Sequence, residues 1–137
     1  MSKTFADFPL HESLQQALQS LGFTSPTPVQ EQSIPAALEG KDLLVSSQTG
    51  SGKTAAFLLP TLNALAAQET FVPFKERMKA ITQPNILVLC PTRELAQQVS
   101  QDAIGFVRHM KGARIAAIMS FQKRMTEIFH LAYSCSN

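Results

Sequence analysis

The chain has 137 residues, of which 45% are hydrophobic and 16% charged, and its formal net charge is +2. That is enough for one globular core, too apolar for a disordered chain, and too weakly basic for composition alone to argue a nucleic-acid partner. Cys90, Cys135, His11, His109 and His130 fall at no metal-ligand or disulfide spacing, and no apolar run suits a signal peptide or a membrane span, so a cytoplasmic setting is the default expectation.

Leu10, Leu14, Ala17, Leu18 and Leu21 recur at helical spacing, and Gly22 follows as a stop. Thr27-Pro28 is a helix start with proline at the first helical position. That second helix runs to about Leu38, and Pro35 is expected to kink or split it. Asp42 to Ser46 is a short apolar run between turn signals, which predicts a buried strand. Gln48 to Gly52 is a loop, and a helix from Lys53 to Ala66 contains a further proline, Pro60. Gln68 to Pro84 has no period and predicts a surface connection. Asn85 to Cys90 predicts a second buried strand, with Cys90 as a small buried thiol and Pro91 as its end. A helix from Arg93 to about Met110 carries Leu95, Val99, Ala103, Phe106 and Met110 along one face, and Gly112 stops it. Arg114 to Met119 predicts a third strand.

Strands alternating with helices in this way predict an α/β fold built on a parallel sheet with right-handed crossovers. The last stretch, Ser120 to Asn137, contains no glycine; Phe121, Met125, Ile128, Phe129 and Ala132 would share one helical face. Arg108, Lys111, Arg114, Lys123 and Arg124 thicken the positive charge late in the chain, and on charge alone a solvated surface accounts for them better than a nucleic-acid patch does.

Ser47-Gln48-Thr49-Gly50-Ser51-Gly52-Lys53-Thr54 lies between a predicted strand and a predicted helix, the context that a Walker A loop requires. Glycines let the backbone turn so that its N–H groups converge, and the helix N-terminus adds partial positive charge. Lys53 would reach the β- and γ-phosphates of a nucleotide, and the Thr54 hydroxyl would ligate Mg²⁺. Ser47 stands where the strict pattern has glycine, and it keeps that position small. A glycine-rich turn in an unrelated fold is the plain alternative.

Two more segments narrow the choice. Gly22-Phe23-Thr24-Ser25-Pro26-Thr27-Pro28-Val29-Gln30, with the isolated aromatic Phe5 before it, resembles the Q motif of DEAD-box RNA helicases. Pro91-Thr92-Arg93-Glu94-Leu95-Ala96 resembles motif Ia of the same family, and the flavour is that of its bacterial RhlE-like members. The resemblance covers about Phe5 to Met119. It implies an incomplete RecA-like P-loop NTPase domain with a parallel sheet flanked by helices. Residues 1–119 are then the N-terminal part of RecA-like domain 1, and 120–137 a tail outside the family pattern.

The resemblance also implies roles. Gln30 would read adenine, since a carboxamide offers a donor and an acceptor to N7 and N6. Phe5 would stack on the base. Thr27-x-x-Gln30 is equally a capping box, and Phe5 and Phe23 taken alone are ordinary core aromatics. Pro91, Thr92 and Arg93 would grip an RNA backbone without reading bases; taken alone, they are a capped helix with a surface arginine.

The family's later elements, its Asp-Glu-Ala-Asp box and its second RecA-like domain among them, are not found. Asp7, Asp42 and Asp102 are the only aspartates, and no Asp-Glu dipeptide occurs. The expectation is a helicase segment that binds ATP with Mg²⁺ but does not turn it over by itself. Strands between the Walker A strand and the motif Ia strand would also be missing, leaving edges unpaired and apolar faces open. The alternatives are a non-catalytic nucleotide- or RNA-binding module, the remnant of a disrupted gene with a rearranged tail, and a small P-loop kinase. The kinase leaves Gln30 and Arg93 unexplained.

Overall fold

Apolar residues recurring every three to four positions build four helices among the described residues, which are 3–68, 84–118 and, for the backbone, 132–134 of a computed structural model. A 3₁₀ turn at Phe5–Asp7 precedes α1 (Glu12–Ser20), α2 (Pro28–Leu38), α3 (Lys53–Ala66) and α4 (Arg93–Val107). The bounds of α2 and α3 match the expected ones. Helix α4 stops three residues short of Met110, whose N–H closes a turn onto the Val107 carbonyl at 2.8 Å.

Three helix starts are fixed by side chains that accept from otherwise unpaired amides. His11 Nδ1 accepts from the Ser13 N–H at 3.2 Å, and Thr92 Oγ1 accepts from the Leu95 N–H at 3.2 Å. Thr27 and Gln30 form the reciprocal capping box of α2. Helix α3 has no side-chain cap; it begins behind Gly52, which lies in the left-handed region at φ 86°. Pro35 and Pro60 sit inside α2 and α3. Each removes one donor from the carbonyl four residues before it, yet neither splits its helix.

The core gathers Leu14 and Leu18 from α1, Ile34 from α2, Leu58, Leu59 and Leu62 from α3, and Val99, Ala103 and Phe106 from α4. A relay of edge-to-face aromatics crosses it: Phe8 to Phe5 at 5.8 Å, Phe5 to Phe23 at 5.6 Å, and Phe23 to Phe106 at 5.6 Å between ring centroids. The N-terminal segment is tied to this core by polar bonds. Gln15 Nε2 donates to the carbonyls of Phe5 and Phe8, both at 3.0 Å, and the His11 N–H donates to Asn63 Oδ1 on α3 at 2.6 Å. Asp7 accepts from the Thr4 N–H at 2.7 Å and from its hydroxyl at 3.0 Å, and these bonds, the backbone one foremost, hold its carboxyl below the ordinary carboxylate value.

The strands depart from expectation. Residues 42–46 and 85–90 belong to no ladder, and they are exposed rather than buried: Leu44 is 102% exposed, Leu87 78% and Leu89 84%. A buried strand needs neighbours for its backbone and a cover for each face, and the described residues supply neither. Cys90 is accordingly half-buried rather than enclosed. Leu95, placed on the inner face of α4 by its spacing, is exposed in the first turn of the helix. The third strand is shorter than expected. It is β1 (Ile115–Ala117), paired antiparallel with β2 (Ala132–Ser134) in the register Ile115 to Ser134, Ala116 to Tyr133 and Ala117 to Ala132. Ala132 therefore lies on a strand, not on the helical face expected of the tail. The parallel ladder is not formed among the described residues. The connection at 69–83 and the rest of that helical face, with Phe121, Met125, Ile128 and Phe129, lie outside them.

Phe106 closes the aromatic relay, so Phe106→Ala is expected to lower the unfolding free energy by ~3–5 kcal/mol, whereas the same change at the exposed Phe57 should cost ~0.5 kcal/mol or less. Urea denaturation midpoints of the two variants against the unaltered chain check this.

Candidate nucleotide site

The loop from Ser47 to Gly52 turns tightly because Gly50 and Gly52 both take positive φ, 79° and 86°. The Ser51 N–H bonds the Gln48 carbonyl at 3.3 Å, and the hydroxyls of Ser47 and Ser51 are 2.6 Å apart across the turn. Thr49 and Gly50 form its exposed tip. The amides of the first turn of α3 follow directly, with no side-chain cap in front of them. Lys53 and Thr54 are the first two residues of that turn, and both are half-buried. The Lys53 ammonium is turned back onto the loop, donating to the Ser47 carbonyl and, at 3.3 Å, to the Gln48 carbonyl.

Helix α2 delivers the second part of the site. Gln30 is 3% exposed, and both ends of its carboxamide are engaged. Its Oε1 accepts from the Thr27 N–H at 2.9 Å, and its Nε2 donates to the Gly52 carbonyl at 3.0 Å. Thr27 joins in from the same helix start, its hydroxyl donating to the Ser51 carbonyl at 2.7 Å. Thus the cap of α2 and the end of the phosphate-type loop are one hydrogen-bonded unit. Gly52 is confined twice over: by its φ, and because a Cβ there would stand 2.3 Å from Gln30 Nε2.

The aromatic expectation fares differently. Phe5 is 3% exposed and clasped between Phe8 and Phe23, so its ring has no free face for a base. The core reading describes its position. Phe23 keeps part of its surface in solvent, at the head of the Thr24 to Gln30 stretch. Its ring also packs on the core, against Phe5 and Phe106.

Pro91, Thr92 and Arg93 are exposed at the start of α4, with Thr92 as its cap. Asp102, further along α4, is partly buried, which pushes its carboxyl above the ordinary value. No group of three or more His, Cys, Asp or Glu able to hold a metal occurs among the described residues. No helix there is long and apolar enough to cross a membrane.

The sequence profile described as DEAD/DEAH box helicase matches residues 27–136, most of the chain. The chain belongs to the DEAD/DEAH box helicase family. It is 44% identical over 120 residues to the ATP-dependent RNA helicase DeaD of Escherichia coli K12, a match covering 88% of this chain and 17% of that protein. It is 48% identical over 106 residues to SrmB of the same organism, an ATP-dependent RNA helicase, covering 77% of this chain and 22% of SrmB. A hypothetical ATP-dependent RNA helicase from Sulfolobus tokodaii, known from its crystal structure, superposes with a TM-score of 0.59 at 35% identity, covering 74% of this chain and 25% of that one. The fold is therefore that of a partial RecA-like helicase domain. The chain spans about a quarter or less of the length of these relatives. The profile match also runs into the stretch after Met119.

Gly52→Ala combines a left-handed φ with the clash against Gln30, and Gly50→Ala has the φ alone, with open space around its added methyl. Both are expected to destabilise, Gly50→Ala by ~1 kcal/mol and Gly52→Ala by ~2–3 kcal/mol, read from thermal unfolding midpoints.

Proposed function

We propose that the Ser47 to Thr54 loop binds the polyphosphate of an adenine nucleotide, as part of an ATP-dependent RNA helicase. The observation that carries this reading is the start of α3: a tight loop set by two positive-φ glycines, then helix amides that no side chain caps, with a lysine as the first helical residue. Donors left unpaired at a helix N-terminus form an anion site. Lys53 leaves its two carbonyl partners and turns to the β- and γ-phosphates. The loop residues Ser47, Gln48, Thr49, Gly50, Ser51 and Gly52 supply the cradle.

Mg²⁺ fits what the chain offers. This ion keeps most of its waters and takes one or two protein oxygens plus phosphates, so a single hydroxyl from Thr54 is a sufficient contribution from these residues. Bound there, Mg²⁺ would neutralise phosphate charge. Gln30 has one carbonyl lone pair and one amide hydrogen beyond its bonds to Thr27 and Gly52. These are the groups that the N6/N7 edge of adenine would use. Phe23, rather than Phe5, is the ring with surface left to stack on the base.

At the other site, Pro91, Thr92 and Arg93 meet an RNA backbone through the exposed start of α4. Such contacts hold phosphate and leave base sequence unread. Turnover is a separate matter. The chain has no Asp-Glu dipeptide to hold the metal from the opposite side or to orient water. We propose that the 137-residue chain binds nucleotide and does not hydrolyse it, and that unwinding belongs to a longer parent carrying a second RecA-like domain.

Isothermal titration of the chain with Mg-ADP and Mg-ATP is expected to give binding that Lys53→Ala weakens at least tenfold, with no phosphate release even when RNA is added. Release of phosphate by the unaltered chain would refute the no-turnover reading. Gln30→Ala should erase a preference for ATP over GTP, and Phe23→Ala should weaken both nucleotides while Phe5→Leu leaves affinity in place. Arg93→Ala should weaken single-stranded RNA about equally across sequences and flatten the salt dependence by roughly one unit of slope.

A further inference from the structure

Ser47 occupies the first position of the phosphate loop, and its side chain makes a bond that glycine or alanine there lacks. Its hydroxyl lies 2.6 Å from that of Ser51, on the opposite limb of the turn. Both residues are half-buried, so water competes weakly for this bond. The Ser51 limb is held independently, its carbonyl accepting from the Thr27 hydroxyl at 2.7 Å. The Ser47 limb presents its carbonyl, with that of Gln48, to the Lys53 ammonium. These bonds share one consequence. They keep the limbs together and the ammonium pointed at the loop's own oxygens.

We propose that Ser47 and Ser51 form a latch that holds the loop in a self-satisfied arrangement and so lowers its affinity for nucleotide. The proposal rests on the reading of this loop as a polyphosphate site. A phosphate entering between the limbs must separate the two hydroxyls before Lys53 can swing over. Removing either hydroxyl removes that cost from the free chain and takes nothing from the phosphate contacts, which come from amides and Lys53. The affinity of the unaltered chain is then the intrinsic affinity of the open loop, reduced by the fraction of time the latch is open.

The test is a double-mutant cycle on the full 137-residue chain: unaltered, Ser47→Ala, Ser51→Ala and the double variant, each titrated calorimetrically with Mg-ADP. A neutral hydrogen bond of ordinary net worth predicts that each single change tightens binding about fivefold, equivalent to ~1 kcal/mol. The double variant should bind no tighter than either single one, because the bond is lost only once. Urea midpoints measured alongside correct each affinity for any change in the folded fraction. Unchanged or weakened binding in Ser47→Ala, or additive gains in the double variant, would overturn the latch. Lys53→Ala separates the two levels of the argument. If it abolishes binding while Ser47→Ala does nothing, the phosphate site stands and the latch falls. If the unaltered chain binds no nucleotide, or binds it equally without Lys53, the underlying reading falls instead.

Discussion

The carboxamide of Gln30 is the joint on which the site depends. One end closes the start of α2 on the Thr27 N–H, and the other reaches the Gly52 carbonyl at the mouth of α3. At 3% exposure a carboxamide with an unmet donor or acceptor is costly, so its partners are effectively obligatory. This single group fixes how two helix N-termini face one another. It also explains why Gly52 must be glycine: the donor to its carbonyl fills the volume that a methyl would need.

The joint places the cap of Thr27 and Gln30 directly against the loop. A capping box and a ligand-reading motif look like alternatives in a string of letters. In space the cap lies against the loop, and Thr27 extends it with a bond from its own hydroxyl to Ser51. Whatever moves the loop therefore strains the start of α2, and whatever occupies the remaining capacity of Gln30 bears on the loop. The start of α2 and the end of the loop are connected by three hydrogen bonds and no intermediate element.

How much was legible in the residues follows from how local each structure is. Helices α2 and α3 could be bounded to the residue because their signals are adjacent: Thr27-Pro28 at one start, Gly52 then Lys53 at the other. The loop was legible for the same reason, its glycines and lysine being contiguous. The strands were not, because a run such as Asn85 to Cys90 states only that it is apolar. Its partner and its cover lie elsewhere in the chain order, and pairing is the property that makes it a strand. The burial of Phe5 was not legible on similar grounds. Its isolation in sequence suggested a special task, but Gln15 draws the whole Phe5 to Phe8 segment onto the core, and burial follows from contacts that no local pattern encodes. Helix α2 runs through Pro35 unsplit, since the loss of one helical bond is small beside the burial of Ile34 next to it.

The same contrast explains why a well-formed site can stand beside unpaired extended segments. Helices satisfy their backbones internally, and their caps need only one or two neighbouring side chains. Among the described residues, four helices around Leu14, Ile34, Leu59 and Phe106 bury a core and hold a loop with no parallel ladder behind them. What the sheet would add is a fixed floor for the two limbs that enter the loop and α4, since 42–46 leads directly to Ser47 and 85–90 to Pro91. Among the described residues those segments are unpaired, and the loop is positioned there through Thr27 and Gln30. The hydrogen bonds within the loop then take on work that a paired strand would otherwise do. That is why the hydroxyls of Ser47 and Ser51 and the inward turn of Lys53 weigh heavily here: each replaces a constraint from the floor with one drawn from the loop itself, and each must be undone before a phosphate can take its place.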